Sequence, residues 1–314
     1  MEEDGSSPSA QADASPWSAH ELEITTPAHK YLASSGEEGD DKFKNVAPPL
    51  PRYGHSSSAV ASPAGDVLIF GGRVDDQVKN DTWAIRLSED SGPSDNVIRR
   101  KVTANLMDTT GDAPSARSEQ ASALVDKWLV VWGGCFGFLQ FADDCVYLLD
   151  ITTNIWTKLV LQPAPPVRNG HAACACGNKF VMFGGYGGRS GYFNDIWTID
   201  LDSLAQRTPK WEQIKVARGS ESPSGRAGHS MVAHKNKLHV FGGDQYTDTW
   251  CFDLSTRVWK KLSQSGSIPP PLSFHAAALV GDAIYIFGGT MLEDDTWYFQ
   301  IDGMGVSIQR KYVH

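Results

Sequence analysis

No stretch of this sequence approaches the ~20 consecutive apolar residues that a membrane-spanning helix requires, and the chain reads as soluble. Its first residues, Met1-Glu2-Glu3-Asp4, are acidic and lead into no apolar core, the reverse of a secretory signal. Basic charge is in short supply. The 28 Lys and Arg stand against 37 Asp and Glu, a formal charge of −9, which repels phosphate backbones and anionic lipid headgroups. Neither nucleic-acid binding nor membrane insertion is expected, and the one basic run, Arg99-Arg100-Lys101, is too brief for an electrostatic footprint. Cysteine is sparse. The five present (Cys135, Cys145, Cys174, Cys176 and Cys251) are odd in number and contain no C-x-x-C pair, so they suggest neither a disulfide framework nor a zinc site, and a reducing, cytoplasmic compartment fits best. Catalytic signatures are missing as well: there is no G-x-S-x-G, no H-E-x-x-H and no G-x-x-x-x-G-K-[ST]. The glycine-rich segment from Gly185 to Gly191 opens no helix, so it is not expected to cradle phosphate. Asn80-Asp81-Thr82 matches a glycosylation sequon, but its place in a repeat gives it a structural reading.

What the chain does have is self-similarity. An apolar run closed by a glycine pair occurs five times, ending at Gly71-Gly72, Gly133-Gly134, Gly184-Gly185, Gly242-Gly243 and Gly288-Gly289. The mean spacing is about 54 residues, close to the ~50 of propeller blades. Thirteen residues before the pair stand Gln120, His171, His229 and His275, and His55 stands sixteen before because Ser62-Pro63-Ala64-Gly65 lengthens its hairpin. Just upstream come prolines and an arginine, at Arg52, Arg117, Arg168 and Arg226, with none in the fifth unit. Downstream, an acidic residue precedes an aromatic strand bearing Trp83, Tyr147, Trp197, Trp250 or Trp297, and a second tryptophan follows at Trp156, Trp211 and Trp259.

These markers divide each unit into four short strands, A to D: A carries the histidine, B is the apolar run, C carries the first Trp or Tyr, and D the second Trp. The B runs are continuously apolar, so both faces of each strand are expected to be buried. That suits a sheet packed between two others. Glycine pairs suit the exit of such a strand, where the backbone turns sharply or meets another chain.

On these residues the sequence resembles the kelch-repeat β-propeller family, over about Pro51 to Ile301. More narrowly, Pro16-Trp17-Ser18, Pro51-Arg52-Tyr53-Gly54-His55 and Val78-Lys79-Asn80-Asp81-Thr82-Trp83 look like fungal kelch proteins that mark cell ends and growth polarity. The resemblance implies an all-β propeller of five visible four-stranded blades, over about 51–105, 114–160, 165–216, 223–264 and 269–313. A sixth set of marks, which the family would supply, is absent after residue 301, and the polarity proteins also carry a coiled-coil tail for which this chain has no heptads. The chain is therefore expected to be a short form or to lack its last part. Closure is expected either as a five-blade ring or as an open ring stitched by residues 20–25. Residues 1–16 read as a disordered tail, 17–50 as one strand plus an acidic flexible loop, 51–314 as the propeller, and Ser88 to Asn96 as an insertion between C and D of the first blade.

Alternating strand direction puts the B–C and D–A loops on one face, the expected partner-binding site. It would bring together Arg52, Arg117, Arg168 and Arg226 with Arg73, Phe136, Phe138, Phe141, Tyr186, Arg189, Tyr192, Phe193 and Tyr246, since exposed aromatics with arginine compose protein-binding hot spots. Some of these rings could instead fold back on the blade edge. The glycine pairs and Trp83, Trp197, Trp250 and Trp297 are assigned structural roles. The histidines invite a metal reading, but each belongs to its own blade, so ring symmetry would hold them too far apart for the ~2 Å bonds of one ion. No cofactor is expected. The function read from this is a non-catalytic scaffold for a protein partner, in cell polarity or cytoskeletal organisation as the fungal resemblance implies. The alternative is an enzyme on the same ring, of galactose-oxidase-like or iron-dependent specifier type, for which Asp75, Asp76, Asp244 and Glu293 could supply carboxylates.

Overall fold

The computed structural model describes residues 22–25, 48–58, 60–91, 98–137, 139–290, 296–302 and 305–311. The expected N-terminal tail and most of the acidic loop lie outside these residues. Five antiparallel sheets follow one another along the chain in A-B-C-D order, making a five-blade β-propeller. Blade 3 shows the unit plainly: A is Ala172–Cys176, B Lys179–Phe183, C Ile196–Asp200 and D Trp211–Ile214. Its register sets Ala172 against Phe183, Phe183 against Ile196, and Ile196 against Ile214.

The B strands of blades 2, 3 and 4 are buried on both sides, as their unbroken apolar runs predict, and those of blades 1 and 5 over most of their length. Between blades 1 and 2, Leu68 and Phe70 meet Leu129, Val131, Tyr147 and Trp156. Between blades 2 and 3, Val130 and Trp132 meet Phe180, Met182 and Trp211. Val181 and Phe183 then face Val240, Trp250 and Trp259, and Phe241 and Cys251 face Ile284, Ile286 and Phe299. The core is thus a series of inter-blade seams, with each buried Phe or Trp contributing about 1.5–3 kcal/mol of transfer free energy.

Three parallel additions lie on outer edges. Thr110–Gly111 pairs with D of blade 2, Ser263–Gly266 with D of blade 5, and Leu22–Thr25 with D of blade 1. The expected strand near residues 20–25 is therefore present, but it runs along its own blade and does not stitch blade 5 to blade 1. The expected insertion after Ser88 is also different: strand C continues to Ser91 and D spans Ile98–Leu106. The register pairs Glu89 with Arg100 and Asp90 with Arg99. The basic run is part of this strand.

Candidate functional site

At the exit of every B strand the first glycine has φ of 62–70° and the second 86–104°, a backbone region that L side chains rarely enter. The close approach matters as much as the dihedral. A Cβ on Gly184 would lie 2.7 Å from Cε1 of His229 in the next blade, and one on Gly133 2.6 Å from Cε1 of His171. His229 Nε2 is 3.1 Å from the Phe183 carbonyl, Gln120 Nε2 donates to the Phe70 carbonyl at 2.8 Å, and His275 Nε2 is 2.8 Å from Ser230 Oγ. Gln120, His171, His229 and His275 therefore pack one blade against the next. Burial pushes the His171 imidazole down to about 3 and that of His275 to about 4, so both stay neutral at neutral pH.

A pH dependence follows. An imidazole whose folded value lies below the unfolded ~6.5 gives stability that is complete above pH 6.5 and is lost as pH falls toward 3–4. Each such histidine is expected to steepen the loss by about 1.4 kcal/mol per pH unit in that window. His171→Gln, which copies the natural Gln120, is expected to fold and to flatten the slope between pH 6.5 and 4 in denaturant titrations; an unchanged slope would refute the assignment.

The four arginines placed on the binding face by their sequence position are not there. Arg52, Arg117, Arg168 and Arg226 have fully buried side chains. Arg168 donates to the Gly184 carbonyl at 2.9 Å and to both carboxylate oxygens of Asp195, whose Oδ2 also accepts Trp197 Nε1 at 2.7 Å. The same set recurs as Arg52–Asp81–Trp83 and Arg226–Asp248–Trp250, and as Arg117–Asp143–Tyr147 in blade 2. The guanidinium supplies donors for a strand-end carbonyl that would otherwise be orphaned. Burial pulls the Asp195 carboxyl toward neutrality, but bonds from Arg168 and Trp197 outweigh it and hold the group below the usual carboxylate range. In blade 5, Leu272 is buried two residues before Phe274, and Trp297 Nε1 has no partner among the described residues.

Two expected contact aromatics share this structural duty. The Phe193 ring centroid is 3.8 Å from Cζ of Arg168 and that of Tyr246 is 4.1 Å from Cζ of Arg226, so both lid the buried cations. Phe141 is half-buried, and a Cβ on Gly188 would lie 3.1 Å from its ring. Phe138 lies outside the described residues. Arg73 is half-buried and donates to the Phe136 carbonyl at 3.0 Å. Phe136 and Arg189 are exposed, and Tyr192 is 53% exposed with its ring 5.0 Å from that of Tyr186.

Residues not singled out in the sequence complete the face. Tyr53 is 56% exposed and donates to Asp76 Oδ1 at 2.6 Å. Leu139 and Phe274 are about half exposed. Phe274 and Glu119 stand where the other blades have Gly54, Gly170 and Gly228, and both adopt positive φ, 59° and 57°. Glu119 accepts from Asn169 Nδ2 at 2.8 Å, and burial raises its carboxyl above the usual range while Arg73 opposes that. The signal was present in the sequence: a Glu and a Phe replace glycine in the G-H motif. Between these residues a central cavity of about 600 Å³ opens, lined by Tyr53, Glu119, His171, His229 and Phe274 among others.

Of the carboxylates considered for an iron-type site, Asp75 is exposed, two are engaged elsewhere and one lies outside the described residues. Asp76 accepts from Tyr53 and Asp244 from Ser273, and Glu293 is not among the residues described. Among the described residues no three His, Cys, Asp or Glu groups converge as a metal site, and no helix is long and apolar enough to cross a membrane. All five cysteines are free thiols.

Residues 95–289 match the KLHDC2/KLHL20/DRC7 Kelch-repeats domain family. The chain is similar to Tip elongation aberrant protein 1 of Schizosaccharomyces pombe, at 33% identity over 215 residues that cover 65% of this chain and 17% of that one. It is similar to human Kelch domain-containing protein 3 at 28% identity over 263 residues, 79% of this chain and 64% of that one. It thus spans less than two thirds of the length of either relative. Among solved structures, that titled Structure of YjhT shares the fold, with a TM-score of 0.61 at 16% identity over 84% of this chain and 86% of that one. With the glycine pairs, inter-blade histidines and five sheets in place, the match over most of the propeller shows that the chain belongs to the kelch-repeat family.

Proposed function

We propose that this chain is a non-catalytic interaction scaffold that holds a partner protein on the face formed by its B–C and D–A loops. The observation that carries the reading is the grouping of exposed apolar and aromatic side chains there. Tyr53, Phe136, Leu139, Tyr192 and Phe274 are exposed on loops of four blades, and Tyr53 and Phe274 line the central cavity. Singly exposed apolar residues are unremarkable, but a cluster rimmed by Arg73, Arg189 and Asp244 has the make-up of a protein-binding hot spot. The likeness to a tip elongation protein supports a role in cell polarity, and the free cysteines support work in the cytoplasm.

The test is affinity capture from a cell extract with the wild-type chain, with Tyr192→Ala plus Phe136→Ala, and with Ile155→Ala, an exposed residue at the opposite end of blade 2. The double variant is expected to lose the bound partner, with affinity reduced at least ~30-fold at roughly 1–2 kcal/mol per anchor, while its melting temperature stays near wild type. Ile155→Ala is expected to capture normally. Equal capture by all three proteins would remove this face from consideration.

A further inference from the structure

A chain of backbone bonds links the blades around the central cavity. Glu119 N–H donates to the Gly54 carbonyl at 2.7 Å, Gly170 N–H to Glu119, Gly228 N–H to Gly170, and Phe274 N–H to Gly228 at 2.7 Å, so each blade contributes one residue to the cavity's edge. All five have φ between 57° and 66°, a region that glycine enters freely and other residues enter under strain. Blades 1, 3 and 4 use glycine there. Blades 2 and 5 hold Glu119 and Phe274 in the same strained conformation, although glycine would make the same backbone bonds. An outlier of this kind points to work done by the side chain.

The two side chains converge on blade 3. Asn169 Nδ2 donates to Glu119 Oε2 at 2.8 Å, and Phe274 reaches past blade 4 until its Cε1 is 3.7 Å from where a Cβ on Gly170 would lie. A carboxylate and an aromatic ring thus flank Asn169-Gly170. Tyr53 lines the same cavity, whose 600 Å³ is within the ~300–1,000 Å³ of ligand pockets. Among the described residues that line it, only Arg52 and Glu119 are charged at neutral pH, since burial keeps the histidines neutral. Arg52 is already bound to both carboxylate oxygens of Asp81, at 2.8 and 2.9 Å. The cavity is therefore left with the negative charge of Glu119. Arg73, which is not a lining residue, donates to Ser118 Oγ and to the Asp76 and Phe136 carbonyls, and makes no bond to Glu119 among the described residues. Burial still raises the Glu119 carboxyl against the pull of Arg73, so the charge is under-compensated. An acidic segment entering the cavity would meet Glu119 and no available guanidinium.

We propose that Glu119 and Phe274 make the central cavity a receptor for a basic side chain, arginine or lysine, carried by a peptide segment of the partner. The inference rests on the loop face being the binding face, and adds the chemistry of what enters it. The cation would sit between the Glu119 carboxylate and the rings of Phe274 and Tyr53. Oε1 of Glu119 accepts no hydrogen bond among the described residues, while Asn169 fixes the group through Oε2. A charge-assisted bond and cation–π attraction then act together, and the half-buried setting strengthens both because less water competes for the charge. A neutral side chain gains neither, and an acidic one is repelled.

Random linear peptides displayed on phage and selected on the full chain test this. The recovered peptides are expected to share an arginine or a lysine at one position. Synthetic capped copies, titrated by fluorescence anisotropy, are expected to bind Glu119→Gln about 10-fold more weakly than wild type. Changing the shared basic residue to methionine is expected to cost the same factor, and the methionine peptide is expected to bind wild type and Glu119→Gln alike, because the two changes remove one interaction. Glu119→Gly and Phe274→Gly restore the glycine of the other blades and so keep the ring folded. The first is expected to match Glu119→Gln, and the second to weaken the basic peptides about 3–10-fold. Peptides that lose binding with Tyr192→Ala plus Phe136→Ala, yet share no basic residue or bind Glu119→Gln or Phe274→Gly as well as wild type, would overturn this inference and leave the loop face standing. Peptides indifferent to all of these variants would overturn both. Recovery of no peptide above an empty-matrix control would overturn the inference alone, since capture from extract decides the face independently.

Discussion

Arg168→Leu is expected to destabilise the protein by about 3–5 kcal/mol, the cost of leaving a buried charge without its partner. The substitution would strip the Gly184 carbonyl of its guanidinium donor and leave Asp195, itself only 18% exposed, without its cationic partner. Size is not the difficulty, because Leu272 occupies the arginine position of blade 5 and is fully buried. The loss therefore reports electrostatics and hydrogen bonding, not packing. Adding Asp195→Ala is expected to recover a sizeable part of it, since removing both charges relieves what removing one creates. Urea titrations of the single and double variants at pH 7 check this. A double variant no more stable than Arg168→Leu would mean that Asp195 is solvated well enough to need no partner.

Those arginines also mark the limit of what the residues reveal when read in order. Strand order, the double burial of the B runs of blades 2 to 4 and the role of the histidines that follow them were legible, because each rests on a periodicity of apolar or glycine positions that only a stacked sheet explains. Arg52, Arg117, Arg168 and Arg226 were expected at the mouth because alternating strand direction puts the loops before strand A on that face, but charged side chains can be fully buried when paired. The pairing was written in the same register, since Asp81, Asp195 and Asp248 recur with the arginines, but an ion pair between residues 22–29 apart becomes visible only once the D–A loop is seen to fold under the B–C loop. Phe193 and Tyr246 were misplaced for the same reason, as lids on cations not expected beneath them. Tyr53 and Phe274 were overlooked because their exposure depends on which way a loop turns, and the departures from glycine at Glu119 and Phe274 draw notice only beside the other three blades.

The glycine pairs allow the inter-blade contact to be separated from backbone strain. Gly184 and Gly288 have the same φ, 69°, so alanine at either position is expected to cost about 1–2 kcal/mol for entering the left-handed region. Their surroundings differ completely. A Cβ on Gly184 would meet His229 Cε1 at 2.7 Å and the Arg226 carbonyl oxygen at 2.8 Å, and backbone in the next blade cannot step aside; a Cβ on Gly288 would meet nothing within 4 Å. Gly184→Ala is therefore expected to cost about 1–3 kcal/mol more than Gly288→Ala, the scale of overpacking in a rigid interior. Gly242 lies between them, with the Leu272 carbonyl oxygen at 3.0 Å and His275 Cε1 at 3.2 Å. The expected order of destabilisation is Gly184→Ala, then Gly242→Ala, then Gly288→Ala, read as denaturation midpoints, with failure of Gly184→Ala to accumulate as folded protein counting as the extreme of the same order. Three equal losses would show that the dihedral alone demands glycine here, and that the neighbouring blade has room to yield.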